Sequence, residues 1–385
     1  MCDATCMLDA SGSCDPLFAG PSIVLPFGMA PSPESVSLRT VALVPEVDVY
    51  LMPNFTASIA GEISVLRISV APRHDENECS RSGTPCATDA DCSSGEICFG
   101  EEGECMESPS IAGCVASFWT GAGGFVDQYE NFRSLQSDPA QTVAALGRPT
   151  FGGSEYLYEA LIGLADPTAT TPAPVGCTTA AGSVGCPAYR GTAHRFVVTV
   201  MDEDSTFSTT SAADVLAALA TADITHVAMW SGSPASVERA SVGAVVSTVD
   251  GAPQIYNAID SAVGAALDTT LDFLVDRLPV RVTARVEDDP SDAIDATGLV
   301  ERIEVDRSSA GCAAEASEDT DADGFDDAFV AARNGSPLCF SLVVGRNDSI
   351  SSTASPQVIP MDVVFEGDGV DIGRVSVALI VPSAP

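Results

Sequence analysis

At 385 residues the chain is longer than one typical core, so two or three domains are expected. A net charge of −37, with all 17 basic residues arginine and 54 acidic residues against them, argues against nucleic acid and anionic membranes as partners, because too little positive charge is left to neutralise phosphate. Hydrophobic residues make up 45% of the chain, enough to bury a core despite the acidity, and no apolar run reaches the length of a membrane span.

Thirteen irregularly spaced cysteines are rare in a reducing cytosol and common outside it. The odd count leaves at least one thiol without a partner in the chain. The sequence starts Met1-Cys2-Asp3 with no basic-then-apolar leader, so the expectation is a secreted or surface-exposed protein whose signal peptide is not included here.

Residues 1–42 form an entry segment containing Cys2, Cys6 and Cys14, and its second half is expected to add a strand to the C-terminal domain. Ser37 to Val49 reads as extended and is broken at Pro45. The strand ending at Met52 leads into Asn54-Phe55-Thr56-Ala57-Ser58. Ile59, Ile63, Leu66 and Val70 then recur at offsets of three and four, which marks one face of a helix. From Pro72 the character changes. A Cys-rich insertion over 72–112 holds Cys79, Cys86, Cys92, Cys98 and Cys105 among acidic and small residues, and Cys114 follows. So few hydrophobes cannot hold a module together, and disulfides are expected to do so. Zinc is the rival reading, disfavoured because no CxxC spacing occurs and His74 is the only nearby histidine.

Val115 to Val126 reads as a strand with a Gly-rich end. Pro139 to Leu146 and Ser154 to Leu164 read as helices, the first capped by Asp138. The Thr-, Pro- and Gly-rich stretch 167–191 is expected to be pinched by a Cys177–Cys186 bridge. His194 to Met201 and Ile224 to Trp230 are strands, the former a continuous apolar run of the kind found in parallel sheets. Helices are read over Ser211–Ala222, Ser236–Val249 and Ile255–Arg277. The β-α alternation predicts a doubly wound, mostly parallel α/β domain over 43–278, with its ligand site at the carboxyl ends of the strands. After Pro279 the pattern switches to short alternating strands, including Val280–Val286, Cys339–Val344, Gln357–Glu366 and Gly373–Val381. That predicts a β-sandwich over 279–385.

The predicted strand ends deliver Asn54, Thr56 and Ser58, then Ser154 and Glu155, then Asp202. Oxygen ligands without cysteine suit Mg²⁺, Mn²⁺ or Ca²⁺. Asp48 to Glu62, Gly121-Ala122-Gly123-Gly124-Phe125-Val126-Asp127, Gly153 to Leu161 and Phe196 to Asp202 together resemble the von Willebrand factor A-type domain, in particular its integrin β-subunit-like branch. The resemblance implies an adhesion-type metal site ligated by Asn54, Thr56, Ser58, Glu155 and Asp202, with Ser154 as the alternative to Glu155. It also implies that Glu62 and Asp127 hold flanking ions. Mg²⁺ or Mn²⁺ would occupy the central site, and an acidic side chain of an extracellular protein ligand would complete its coordination. Asn54 stands where the family has aspartate, which removes one negative charge from the site. The alternative is an A-type scaffold with an empty site, in which Asn54 only caps the following helix. Asn54-Phe55-Thr56 is also a glycosylation sequon, set aside because of its place in the loop.

A second candidate spans Asp319-Thr320-Asp321-Ala322-Asp323-Gly324-Phe325-Asp326-Asp327, with acids at loop positions 1, 3, 5 and 9 and glycine at 6. Val330 occupies position 12, so the bidentate acid of an EF-hand is absent. The loop more closely resembles the calcium repeats of thrombospondin type 3. Asp319, Asp321, Asp323 and Asp327 are therefore expected to bind Ca²⁺ in an excursion over 312–339 closed by Cys312 and Cys339. No catalytic motif surrounds His74, His194 or His226, and the cysteines read as structural, so the chain is not expected to be an enzyme.

Overall fold

Seven of the eight residues of β1 (Glu46–Pro53) are buried, the pattern of a strand covered on both faces. The computed structural model describes residues 6–8, 14–16, 20–87, 89–100, 103–125, 128–150, 156–170, 172–177, 180–203, 210–249, 252–259, 262–290 and 294–384. The chain divides into two units. One comprises Pro45–Glu78 and Cys114–Asp276, the other Met1–Val44, Cys79–Gly113 and Arg277–Pro385.

In the first unit, β1 is followed by α1 (Ala60–Asn77), β2 (Ser117–Phe125), β3 (Tyr129–Gln136), α2 (Pro139–Ala145) and α3 (Leu157–Ala165). Then come β4 (His194–Met201), α4 (Ala212–Thr221), β5 (Ile224–Trp230), α5 (Val237–Gly243), β6 (Ile255–Asn257) and α6 (Ala262–Arg277). The sheet order is β3-β2-β1-β4-β5-β6, with every neighbour pair parallel except β3 with β2. This is a doubly wound, mostly parallel sheet, and the chain reverses its direction of travel across the sheet between β1 and β4. Tyr50, Met52, Val197, Met201, Ala228 and Trp230 form one core with Leu157 and Leu161 of α3 and Val215 and Leu219 of α4. On the other face His74 of α1 stacks edge-on against Phe118, and Thr142 of α2 hydrogen-bonds Thr120.

Several boundaries differ from the sequence reading. Helix α1 continues through Pro72, and its last turn is closed by Asn77 Nδ2 donating to the Arg73 carbonyl and Glu78 N to that of His74. Strand β3 reads as polar because it is an antiparallel edge that buries only alternate residues. The three-residue β6 precedes α6, where one long helix was expected, and α5 stops at Gly243. Asp138, Ser211 and Ser236 cap α2, α4 and α5 through their side chains.

A buried ion pair ties the amino ends of β1 and β2 to the segment entering β4. Asp48 is fully buried in β1. Its carboxylate accepts from Arg190 N at 2.7 Å and Arg190 Nε at 2.8 Å. The same guanidinium donates to the Val47 and Ser117 carbonyls and to Ser117 Oγ, and lies 4.3 Å from the Trp119 ring. Burial pushes the Asp48 pKa above the usual carboxylate range, against the opposing pull of Arg190. Behind this pair, Tyr129 Oη donates to Tyr50 Oη, which donates to Asn131.

The second unit contains a six-stranded sheet in which Pro279–Asp288 pairs with Ala328–Arg333 and Gln357–Gly367, and Gln357–Gly367 with Val370–Val381. A three-stranded sheet joins Val300–Val305, Pro337–Val344 and Ser35–Val41, and Ser22–Val24 runs parallel to Val370–Val381. Phe340 of the smaller sheet packs against Phe329 and Phe365 of the larger. The Cys-rich stretch, an insertion in sequence, belongs to this unit, where its strand Glu96–Phe99 lies against Val370–Val381. Cys86–Cys98, Cys92–Cys105, Cys177–Cys186 and Cys312–Cys339 are disulfides, and Cys79 and Cys114 are disulfide-bonded as well.

Two outcomes follow from the buried polar groups. Arg190→Met leaves the Asp48 carboxylate buried without its partner and should cost about 3–5 kcal/mol in urea unfolding at neutral pH. That deficit relative to wild type should shrink as pH is lowered, because a protonated carboxyl carries no uncompensated charge. His226 is fully buried, with Nε2 facing Thr199 Oγ1 and Nδ1 facing the Val245 carbonyl, both at 2.9 Å. Desolvation pushes its pKa down to about 4. The unfolded chain takes up this proton near pH 6.5 and the folded chain does not, so His226 removes up to about 3 kcal/mol of stability as pH falls from 6.5 to 4. His226→Gln should flatten that part of the stability–pH curve, and an unchanged slope would refute the assignment.

Candidate metal centre

The end of β1 is held between its two neighbours. Asn54 N donates to the Val200 carbonyl of β4 at 2.8 Å, and Phe55 N to the Phe125 carbonyl of β2 at 3.2 Å. The Phe55 ring packs edge-on against Phe132 at 4.8 Å. A Cβ on Gly124 would sit 2.3 Å from that ring, and one on Gly123 would sit 2.0 Å from Tyr50 Oη. The Gly-rich end of β2 is thus required by close packing of Phe55 and Tyr50.

Past this anchor the chain turns through a 3₁₀ segment, Ala57–Ile59, into α1. Thr56 sits at the cap position with extended backbone, but its side chain makes no capping hydrogen bond. Its hydroxyl instead lies 2.9 Å from Ser58 Oγ, and Ser58 Oγ donates to Asp202 Oδ1 at 3.2 Å. Asp202 is half-buried just beyond the end of β4. Three side-chain oxygens from two neighbouring strand ends therefore meet where the chain reverses direction across the sheet, the usual ligand position of such sheets.

Asn54 is fully buried, which removes its amide from any glycosylation machinery acting on the folded chain. Its Oδ1 accepts from Thr56 N at 3.1 Å, and its buried Nδ2 has no hydrogen-bond partner. Glu62 is buried in the first turn of α1. Burial raises the Asp202 pKa, the Ser58 hydrogen bond opposes this, and the charge of Glu62 adds to the rise. The structure thus brings Thr56, Ser58, Asp202 and Glu62 into one electrostatic environment beside Asn54. Asp127, Ser154 and Glu155 lie outside the described residues. The donor chemistry fits a hard divalent cation: hydroxyl and carboxylate oxygens, with a half-buried acid raised by a neighbouring acid. The role of Phe55 in fixing this loop was missed in the sequence, where the adjoining Gly123-Gly124 pair was the available signal.

In the acidic loop, Asp319, Asp321 and Asp323 bring carboxylate oxygens within 4.8 Å of one another, all exposed. Asp319 accepts from Ala322 N and Gly324 N at 2.7 and 2.8 Å, and donation from Gly324 N above all lowers its pKa. Gly324 adopts φ +98°, a conformation suited to glycine. Asp327 is not part of this group. Its carboxylate accepts from Thr320 N and Oγ1 at 2.8 and 2.5 Å, bracing the base of the loop.

The electrostatics of the first site can be checked by following the Asp202 carboxyl resonance with pH in metal-free buffer. Ser58→Ala should raise its pKa further and Glu62→Gln should lower it. Opposite shifts would mean that these side chains do not share the environment described.

No protein-family model matches the chain, and no curated protein is similar to it. Among solved structures, proximal thread matrix protein 1 from the mussel byssus is similar at 10% identity and a TM-score of 0.39, over 62% of this chain and 48% of that one. A von Willebrand factor type A protein from Catenulispora acidiphila gives 12% and 0.36, over 92% and 71%. The pilus adhesin SpaC from Lactobacillus rhamnosus GG gives 11% and 0.37, over 91% and 46%. The chain thus spans about half the length of the mussel protein and of the adhesin.

Proposed function

We propose that this chain is an extracellular adhesion or recognition protein that binds an acidic side chain of a protein partner through a divalent cation, Mg²⁺ or Mn²⁺, at the carboxyl end of its parallel sheet. The observation that carries this reading is the unbroken run of oxygens from Thr56 Oγ1 through Ser58 Oγ to Asp202 Oδ1, at 2.9 and 3.2 Å. Thr56 and Ser58 present hydroxyls that capping does not consume, and Asp202 supplies the charge. Asn54 contributes through Oδ1, whose second lone pair remains available beside the bond from Thr56 N. Glu155 or Ser154 completes the set, with Glu62 and Asp127 assigned to flanking ions as in the integrin-like branch. When bound, the cation offers a coordination position to the partner's carboxylate. The second unit is read as a β-sandwich, and its Asp319, Asp321 and Asp323 loop as a thrombospondin type 3-like Ca²⁺ site. The disulfides suit a secreted or surface setting, and no catalytic role is assigned.

One observation favours a second reading, a structural surface module with a degenerate site. Asn54 lacks the charge of an aspartate and spends its oxygen on its own loop, leaving a buried N–H without a partner.

Thermal melts in EDTA against saturating Mg²⁺, Mn²⁺ or Ca²⁺ separate the two. At 100 times Kd an ion stabilises the folded state by about 2.7 kcal/mol, a rise of roughly 5–10 °C for a unit of this size. Asp202→Ala should abolish the Mg²⁺ and Mn²⁺ response and Asn54→Asp should strengthen it. Asp321→Ala should remove only a separate Ca²⁺ response. A Mg²⁺ and Mn²⁺ response untouched by Asp202→Ala would overturn the functional site in favour of the structural reading.

A further inference from the structure

Four cysteines of the Cys79–Gly113 segment have an arrangement that two crosslinks alone do not require. Cys86 is bonded to Cys98 and Cys92 to Cys105. Yet the sulfurs of Cys86, Cys92 and Cys105 all lie within 4.8 Å of one another across the two bridges. Cys98 and Cys105, which belong to different bridges, are direct cross-strand partners in the hairpin of Glu96–Phe99 with Glu104–Glu107. Backbone pairing holds such neighbours with Cβ atoms about 4.5–5.5 Å apart, whatever their sulfurs do.

The other two cysteines have tethers that do not depend on sulfur. Cys86 N donates to the Gly103 carbonyl at 2.9 Å, at a turn where a Cβ on Gly103 would lie 2.0 Å from the Cys86 carbonyl oxygen. Cys92 N donates to the Asp89 carbonyl at 3.2 Å, and Asp89 Oδ1 accepts from Cys98 N at 2.8 Å. These backbone contacts are separate from the bridges and bring the four cysteines to one end of the hairpin. Tetrahedral zinc with Zn–S bonds of about 2.3 Å places its sulfurs about 3.8 Å apart, inside the 4.8 Å over which those of Cys86, Cys92 and Cys105 are already gathered. The segment contains no histidine, so the donor set is all sulfur and selects soft, tetrahedral divalent ions.

We propose that, when reduced, Cys86, Cys92, Cys98 and Cys105 form a tetrathiolate site for one Zn²⁺, so that this module is closed either by two disulfides or by one metal ion. Each bridge takes two electrons and two protons from a dithiol, which is oxidised to its own disulfide, and four thiols result. Binding one Zn²⁺ as a tetrathiolate releases those four protons. The metal then does the work of the bridges, because Ile97, Met106 and Pro109 are the only buried aliphatic side chains among the described residues of the segment.

The test uses the full chain, reduced under anaerobic conditions with a phosphine and titrated with Co²⁺ as a spectroscopic stand-in for zinc. The expected result is one equivalent showing thiolate-to-cobalt charge transfer and tetrahedral d–d bands, displaced by stoichiometric Zn²⁺. Cys177→Ser/Cys186→Ser should retain these bands and Cys92→Ser/Cys105→Ser should lose them. Cys98→His keeps a ligand at its position, so it should retain the equivalent and shift the bands to higher energy. Absence of the bands, their survival in Cys92→Ser/Cys105→Ser, or an unshifted spectrum in Cys98→His would each overturn the proposal.

Discussion

The pairing of Arg190 with Asp48 is the constraint on which the α/β unit depends. A carboxylate in the middle of a sheet is expensive to bury, and the cost is offset only when charge and hydrogen bonds are both supplied. Arg190 supplies both, with donors to Asp48, Val47 and Ser117 and a face against Trp119. Because these partners sit at the amino ends of β1 and β2, the pair fixes how those strands lie beside each other and where the chain enters β4. Among the described residues from Pro279 onward no charged side chain is buried. Charges there are spent in surface networks such as Arg285 with Glu287, Glu366 and Asp371, whose exposure limits what they contribute.

Register carries that constraint to the opposite end of the sheet. With His194 opposite Val47, Val200 falls opposite Pro53, and Asn54 N then reaches the Val200 carbonyl. Asp202 lies two residues beyond Val200, which brings its carboxylate to Ser58. A slip of one residue would turn Asp202 to the other face and break the run of oxygens. The site at one end is therefore positioned by an ion pair at the other, through a strand with no freedom to shift.

Much of this was legible in the sequence, for reasons that particular elements make clear. His194–Met201 and Ile224–Trp230 have the expected limits because a strand buried on both faces is mostly apolar along its length. Tyr129–Gln136 was not legible, since an edge strand alternates polar and apolar residues and resembles a loop. Nor was Ile255–Asn257, whose three residues merge with the apolar helix that follows. The oxygens of Thr56, Ser58 and Asp202 could be assembled from strand ends alone. The bond from Thr56 N to Asn54 Oδ1 could not, because it depends on which way an amide faces. The partner of Asp48 lies 142 residues away and leaves no local trace.

The two acidic sites differ in a way that spacing alone conceals. In the Asp319 loop the carboxylates are exposed, and backbone N–H groups already stabilise the charge, so Asp319 ionises more readily than a free aspartate. Backbone N–H groups of Ala322, Asp323, Gly324 and Phe325 donate to the carboxylates and shape the loop. Asp202 is in the opposite condition: burial above all, with the charge of Glu62, disfavours its charge, the Ser58 hydroxyl and its own backbone N–H only partly oppose them, and among the described residues no arginine pairs with it. The loop has the more recognisable sequence pattern, whereas the strand-end site has the greater electrostatic need. An asparagine at position 54 lessens that need by one charge without removing it, because Asp202 and Glu62 remain. A cation that neutralised them would relieve a penalty already built into the fold, a stronger driving force than joining three solvated carboxylates.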